Sequence, residues 1–121
     1  MITDIENTQA FGEILAKNPG IVVLKLGATW CAPCKLIANQ AHSLMDKLVA
    51  TYPDRVQCCD VDVDESFELY AFLKTKKMVS GIPAILCWKK DNMTFIPDES
   101  VIGANADEIN KFFTRCAGRL K

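Results

Sequence analysis

Two cysteines three positions apart, Cys31 and Cys34, stand in the stretch GATWCAPCK that runs from Gly27 to Lys35. They follow a predicted strand and open a predicted helix, where unpaired backbone N–H groups and the helix dipole stabilise a thiolate. Pro33 falls in the first helical turn, where its missing N–H costs little. Such a pair is suited to thiol–disulfide exchange: Cys31 attacks a substrate disulfide, and Cys34 attacks the mixed disulfide to release the reduced substrate.

Two other interpretations of the pair stay open at this point. A structural zinc site needs four ligands, usually a second C-x-x-C or a histidine pair. The other candidate ligands lack that spacing, and they are Cys58, Cys59, Cys87, Cys116 and the single histidine, His42. We interpret His42 as a core or surface residue and expect no metal and no bound cofactor. In the second alternative the two thiols are buried and inert, which the exposed position of a strand–helix junction disfavours.

Length, composition and charge limit the class of protein. The chain has 121 residues, of which 50% are hydrophobic, and its net charge is −1. We therefore expect one globular domain over residues 1–121 and no direct binding of nucleic acid. Neither a secretory signal nor an apolar stretch of about 20 residues is visible, so we expect a cytoplasmic protein without membrane contact. In that reducing compartment the cysteines are thiols rather than a disulfide framework.

Apolar periodicity predicts alternating helices and strands. Helical patterns cover residues 7–17, 34–52, 65–77 and the tail, where Asn105 and Glu108 form a capping box. The run GIVVLKLGA is apolar except at Lys25, which is typical of a central strand covered on both faces. Further strands are predicted in RVQCCDVDV, AILCWKK and SVIG. The fold class is α/β, with helices on both faces of a central mixed sheet.

The four remaining cysteines are predicted to be structural. Cys58 and Cys59 are adjacent in a strand, so their side chains point to opposite faces and cannot readily pair. Cys87 lies in an apolar strand. Cys116 is the strongest candidate for an accessory thiol, although we favour a role in packing for it as well.

The motifs together resemble the thioredoxin family over nearly the whole chain. They are ATWCAPCK, the later Gly-Ile-Pro at 81–83, and Gly103 near the last strand. The resemblance implies the thioredoxin fold and a thiol–disulfide oxidoreductase that reduces protein disulfides. Its implied partners are disulfide-containing proteins and a thioredoxin reductase or other dithiol donor, and we expect a monomer.

The resemblance also implies where substrate binds. Pro83 should follow a cis peptide bond and lie against the cysteine pair, and the backbone of Ile82 should pair with an extended substrate segment. The implied substrate-binding residues are Trp30, Ala32, Pro33, Ile82, Pro83, Gly103 and Ala104.

Lys25 departs from the family pattern. Most members carry a buried aspartate six residues before the first active-site cysteine, and Lys25 stands at that position. Asp60, in DVDVD, stands where some members have the lysine that partners the aspartate. We therefore hypothesise an ion pair with reversed signs. A nearby Lys25 cation would stabilise the Cys34 thiolate and make the couple more oxidising, unless its ammonium group reaches solvent instead.

The leading function is a thiol–disulfide oxidoreductase that reduces protein disulfides through Cys31 and Cys34. Two alternatives are a redox-independent binding module with the same fold and a more oxidising dithiol oxidase that results from Lys25. The intact cysteine pair with Trp30 and Pro33 favours the reductase.

Overall fold

The computed structural model describes residues 1–121, which form four helices and four strands that alternate except for the last two strands, which are consecutive. In chain order they are α1 (Thr8–Ala16), β1 (Ile21–Gly27), α2 (Ala32–Thr51), β2 (Val56–Asp62), α3 (Phe67–Thr75), β3 (Ala84–Lys89), β4 (Glu99–Ile102) and α4 (Ala106–Gly118). The prediction of an α/β fold with a central mixed sheet is confirmed. None of the four helices combines the length and the hydropathy that crossing a bilayer requires.

The sheet has the strand order β2-β1-β3-β4, so the apolar strand β1 lies inside it, as predicted. All seven residues of β1 are buried. β1 runs parallel to β2 and antiparallel to β3, which in turn runs antiparallel to β4. The β1–β2 register places Lys25 opposite Asp60, and this alignment of two charged residues inside the sheet matters for the site.

Each face of the sheet is covered by a hydrophobic cluster. One cluster packs α1 and α3 against the sheet through Phe11, Leu69, Leu73 and Trp88, and it includes both Cys31 and Cys34. The other packs α2 and α4 through Met45, Ile109, Phe112 and Phe113. Cys59 belongs to the first cluster and Cys58 to the second, which confirms that adjacent strand residues point to opposite faces.

Local signals set the helix ends. Asn7 caps α1 by accepting a hydrogen bond from the Ala10 N–H at 2.8 Å. Asn105 caps α4 through the Glu108 N–H at 3.0 Å. The predicted capping box is only half present, because the Glu108 carboxylate contacts Lys111 on the same helix instead of the Asn105 backbone.

Candidate redox-active site

Cys31 and Cys34 lie where β1 leads into α2, and a disulfide joins them. Cys31 is the N-cap of α2, with extended backbone angles, and its Sγ accepts a hydrogen bond from the Cys34 N–H at 3.2 Å. Both cysteines are about 95% buried, with 5% and 4% of their surface exposed, whereas Ala32 and Pro33 between them are exposed. The sulfur atoms therefore lie just beneath the surface, at a helix end whose free N–H groups favour negative charge.

The segment that precedes β3 lies next to the residues that follow β4, and a backbone hydrogen bond joins the two. The Ile82–Pro83 peptide is cis, as the resemblance implies. The Gly103 N–H donates to the Pro83 carbonyl at 2.8 Å, and Gly103 has a φ of +99°, a conformation that favours glycine. The backbone N–H and carbonyl of Ile82 make no hydrogen bond within the chain. They are thus free to pair with another strand, while Ala104 next to Gly103 is exposed.

Trp30 lies on the surface directly before the cysteine pair, with 66% of its area exposed. Its indole Nε1–H donates to Asp64 Oδ2 at 2.8 Å. Asp64 follows β2 and was not among the predicted site residues. The hydrogen bond holds the indole at one end while leaving most of the ring accessible, which suits an apolar contact surface.

Lys25 and Asp60 form an ion pair inside the sheet. Lys25 Nζ lies 3.2 Å from Asp60 Oδ1, and only 5% of Lys25 is exposed. The ammonium group is therefore paired with Asp60 inside the sheet and does not extend along the outer surface of the protein. A Cβ placed on Gly27 would lie 3.5 Å from Lys25 Nζ and 3.6 Å from Cys34 Sγ. Because Gly27 has no side chain, the Lys25 ammonium group and the Cys34 sulfur face one small space.

This space is a cavity of about 390 Å³ that opens to solvent. Charged and sulfur-bearing side chains line much of it: Lys25, Cys34, Lys35, Asp60, Asp62 and Glu65. A groove of similar size, about 350 Å³, lies between the C-terminal parts of α2 and α4, and neither active-site cysteine lines it. Of the two, only the first cavity gives solvent access to the charged pair beneath Cys34.

His42 is a second residue whose place near the site the sequence-based interpretation missed. The sequence predicts a core or surface histidine; the structure places its side chain at the surface, with 44% exposed, and its Nε2 contacts Asp60 Oδ2. A signal was available in α2: Cys34, Ala38 and His42 are spaced by four residues and so lie along one helical face. Because β2 packs beneath that face, the same carboxylate contacts Lys25 through one oxygen and His42 through the other.

The other four cysteines are buried and free, as predicted. Burial raises the pKa of Cys58 and of Cys59, in each case to about 12. A hydrogen bond with Cys87, together with burial, raises the pKa of Cys116. Cys58, Cys59 and Cys116 are thus held in the protonated, unreactive form. No three histidine, cysteine or carboxylate side chains converge in an arrangement that could hold a metal ion.

Comparison with known proteins agrees with this geometry. The Thioredoxin family profile matches residues 3–115 of the chain. Mouse thioredoxin is 33% identical over 118 residues, which cover 97% of this chain and all of the mouse protein. Thioredoxin-T of Drosophila melanogaster is 32% identical over 105 residues, which cover 87% of this chain and 59% of that longer protein.

The fold is likewise that of solved thioredoxins. The crystal structure of Malassezia sympodialis thioredoxin superimposes with a TM-score of 0.71 over 96% of this chain and 93% of its own, at 22% identity. At that identity the likeness bears on the fold alone.

A cysteine pair in disulfide contact at a strand–helix junction defines a thiol–disulfide oxidoreductase site. The chain belongs to the thioredoxin family. Its function is thiol–disulfide exchange, and the family relationship implies disulfide substrates and reductase partners in general. Neither the redox-independent binding module nor the dithiol oxidase is favoured by these findings.

Proposed function

We propose that this protein is a protein-disulfide reductase of the thioredoxin type, in which Cys31 is the nucleophile and Cys34 the resolving thiol. The observation that carries the proposal is the position of Cys31 Sγ at the N-cap of α2, where it accepts the Cys34 N–H. A backbone donor and the positive end of a helix dipole both favour the thiolate, which is the nucleophilic form. Cys34, one turn into the helix, lacks that cap position.

The first step forms a mixed disulfide. The Cys31 thiolate attacks one sulfur of the substrate disulfide, so that a bond forms between Cys31 and that sulfur. The substrate S–S bond breaks, and its electron pair leaves with the second substrate sulfur as a thiolate, which takes a proton from solvent.

The second step resolves the intermediate. The Cys34 thiol loses its proton and attacks Cys31 Sγ, which breaks the bond to the substrate and forms the Cys31–Cys34 disulfide. The Cα atoms of the two cysteines are 5.3 Å apart, within the usual range for a disulfide. Because nucleophile and target belong to one chain, the step is intramolecular and correspondingly fast.

Substrate is proposed to bind as an extended segment across the cysteine pair. The unpaired backbone of Ile82 supports this, since a peptide can add to it as a short strand. Pro83 fixes the adjoining segment, and the exposed surfaces of Trp30, Ala32, Pro33, Ile82, Gly103 and Ala104 supply the contact area. The substrate class is therefore a protein with a disulfide in an accessible, extended segment.

A complete cycle needs a source of electrons. We propose that a thioredoxin reductase or another dithiol donor reduces the Cys31–Cys34 disulfide, and that the protein acts as a monomer in the cytoplasm. The donor supplies two electrons and two protons per turnover, which regenerates the dithiol.

The Lys25–Asp60 pair is proposed to tune the couple. Lys25 Nζ and Cys34 Sγ face the same small space beside Gly27, so the cation favours the thiolate over the thiol. Stabilising the reduced form raises the reduction potential. Asp60 offsets part of that charge through its contact at 3.2 Å.

The test is reduction of a protein disulfide with dithiothreitol as electron donor, comparing wild type with Cys31→Ser and Cys34→Ser. Both variants should lose turnover, and Cys34→Ser should accumulate a mixed disulfide with substrate that mass spectrometry detects. Cys116→Ala is the matched control, because that thiol is fully buried, and it should keep wild-type activity. Full turnover in Cys31→Ser would exclude the proposed mechanism.

A further inference from the structure

A chain of charged side chains leads from the thiols to the surface through His42. Asp60 contacts the buried Lys25 with Oδ1 and the imidazole of His42 with Oδ2. The Lys25 side chain is 7% exposed, that of Asp60 19%, and that of His42 44%. One carboxylate thus connects an almost fully buried cation with an imidazole that is nearly half exposed.

The orientation of the imidazole determines which nitrogen can exchange a proton. Nε2 faces the carboxylate, so its N–H donates to Asp60 in both protonation states, and Nδ1 is the nitrogen that gains or loses a proton. Imidazole is the side chain whose charge ordinarily changes between about pH 5 and pH 8. Proton uptake by His42 therefore changes the charge of the network without breaking its contacts.

The change in charge alters the electrostatic potential near Cys34. With His42 neutral, the Lys25 ammonium and the Asp60 carboxylate balance each other; with His42 protonated, the network carries one net positive charge. Lys25 Nζ and Cys34 Sγ flank the same point beside Gly27, and both line the cavity. In this partly buried setting, charges interact more strongly than they do in water.

We propose that His42 is a positioning residue that acts through Asp60 and Lys25, so that the rate at which Cys34 resolves the mixed disulfide depends on whether the His42 imidazole carries a second proton. The inference rests on the proposed function, because it concerns the second step of that mechanism. Protonated His42 leaves Asp60 shared between two cations, so the carboxylate offsets less of the positive field at Cys34. The Cys34 thiolate is then stabilised in acid, where the thiolate fraction is otherwise smallest.

The size of the effect follows from two opposing trends. One added charge at a partly buried site changes the ionisation of a neighbouring thiol by about tenfold. A more stable thiolate is a weaker nucleophile, which cancels roughly half of that gain on a logarithmic scale and leaves about threefold in rate. The bonds made and broken are unchanged: the proton of Cys34 goes to solvent, and its sulfur displaces the substrate thiolate from Cys31.

Other charged groups surround the network. On α2 they are Lys35 and Asp46. Asp62 at the end of β2 and Glu65 after it line the cavity. Met1, which carries the terminal amine, lines a further groove together with Asp46. Carboxylates and lysine ammonium groups ordinarily keep their charge from pH 5.5 to 8.5. All of these groups, including the amine, are present in every variant described below, so their contribution cancels in a ratio of rates.

The experiment mixes reduced protein with 5,5′-dithiobis(2-nitrobenzoate) in a stopped-flow instrument. The first release of thionitrobenzoate reports attack by Cys31, and the second, independent of reagent concentration, reports resolution by Cys34. Wild type is compared with His42→Gln, which keeps a donor for Asp60 but does not titrate in this range. The wild-type rate of the second phase should equal that of the variant at pH 8.5 and exceed it about threefold at pH 5.5.

Lys47→Gln is the matched control, since it removes an exposed charge of the same helix that has no contact with Asp60. The ratio of its second-phase rate to that of wild type should not change with pH. A constant ratio for His42→Gln would overturn the inference while leaving the mechanism in place. A second phase that persisted in Cys34→Ser would overturn the proposed function, and the inference with it.

Discussion

The six cysteines of this chain fall into two regions that differ in almost every property relevant to sulfur chemistry. Cys31 and Cys34 lie at a helix N-terminus, where a backbone N–H donates to sulfur and a cavity brings solvent close. Cys58, Cys59, Cys87 and Cys116 are buried free thiols, and none of them lines that cavity. Burial is high in both regions, so burial alone does not decide reactivity; the local donors and charges do.

The largest expected difference is in the rate of alkylation. In reduced protein at pH 8, iodoacetamide should modify Cys31 more than about a thousandfold faster than Cys58 or Cys59, because a pKa of about 12 leaves very little thiolate. Peptide mapping after timed quenching measures the ratio. Comparable labelling of Cys58 in native protein would show that the core opens more readily than this packing implies.

The same two core thiols should make the protein less stable in alkali. Their pKa is about 12 in the folded state against 9.0 for an ordinary cysteine, so the unfolded chain releases its protons first. Their contribution to stability is complete below pH 9 and is lost as pH rises towards 12. The expected loss is about 2 to 3 kcal/mol per pH unit for both thiols together.

Urea unfolding of the oxidised protein at pH 8, 9 and 10 measures this loss. In the double variant Cys58→Ala/Cys59→Ala, the free energy of unfolding should fall less steeply with pH than in wild type. If the slopes were equal, the loss of stability at high pH would come from groups other than these two thiols.

Substitution by serine should lower the free energy of unfolding in the core region but not at the helix N-terminus. Cys59→Ser places a hydroxyl without a partner in the core and should lower the free energy of unfolding by about 1 to 3 kcal/mol. Cys31→Ser should be nearly neutral against reduced wild type, because serine is a favourable N-cap and can accept the Cys34 N–H. Denaturant titrations under reducing conditions make the comparison, and an equal cost at both positions would contradict it.

The smallest expected effect concerns the tuning of the reactive pair. Lys25→Met removes the cation that faces Cys34 and should lower the reduction potential by roughly 30 mV, equivalent to about 1.4 kcal/mol. Equilibration with glutathione buffers measures the potential. Lys47→Met, on the exposed side of α2, should leave it unchanged. An unchanged potential in Lys25→Met would remove Lys25 from the tuning of the couple.

Local sequence signals predicted much of the fold. The apolar run of β1 predicted an interior strand, and the spacing of α2 predicted its length to within a few residues. Helical spacing did not predict exposure at every position: Leu36 belongs to the apolar pattern of α2, yet 80% of it is exposed. Periodicity places a residue on a face, but what covers that face is decided by distant parts of the chain.

The site divides in the same way. The sequence by itself determined the chemistry of Cys31 and Cys34, because a two-residue spacing at a strand–helix junction is a short-range relationship. The resemblance suggested that Lys25 and Asp60 pair, but only the tertiary structure decided that His42 joins them. Parallel pairing of β1 with β2 aligns Lys25 with Asp60, and the packing of α2 over β2 brings His42 to the same carboxylate. Contacts between residues 18 and 35 positions apart depend on strand register and helix packing, which the whole core sets.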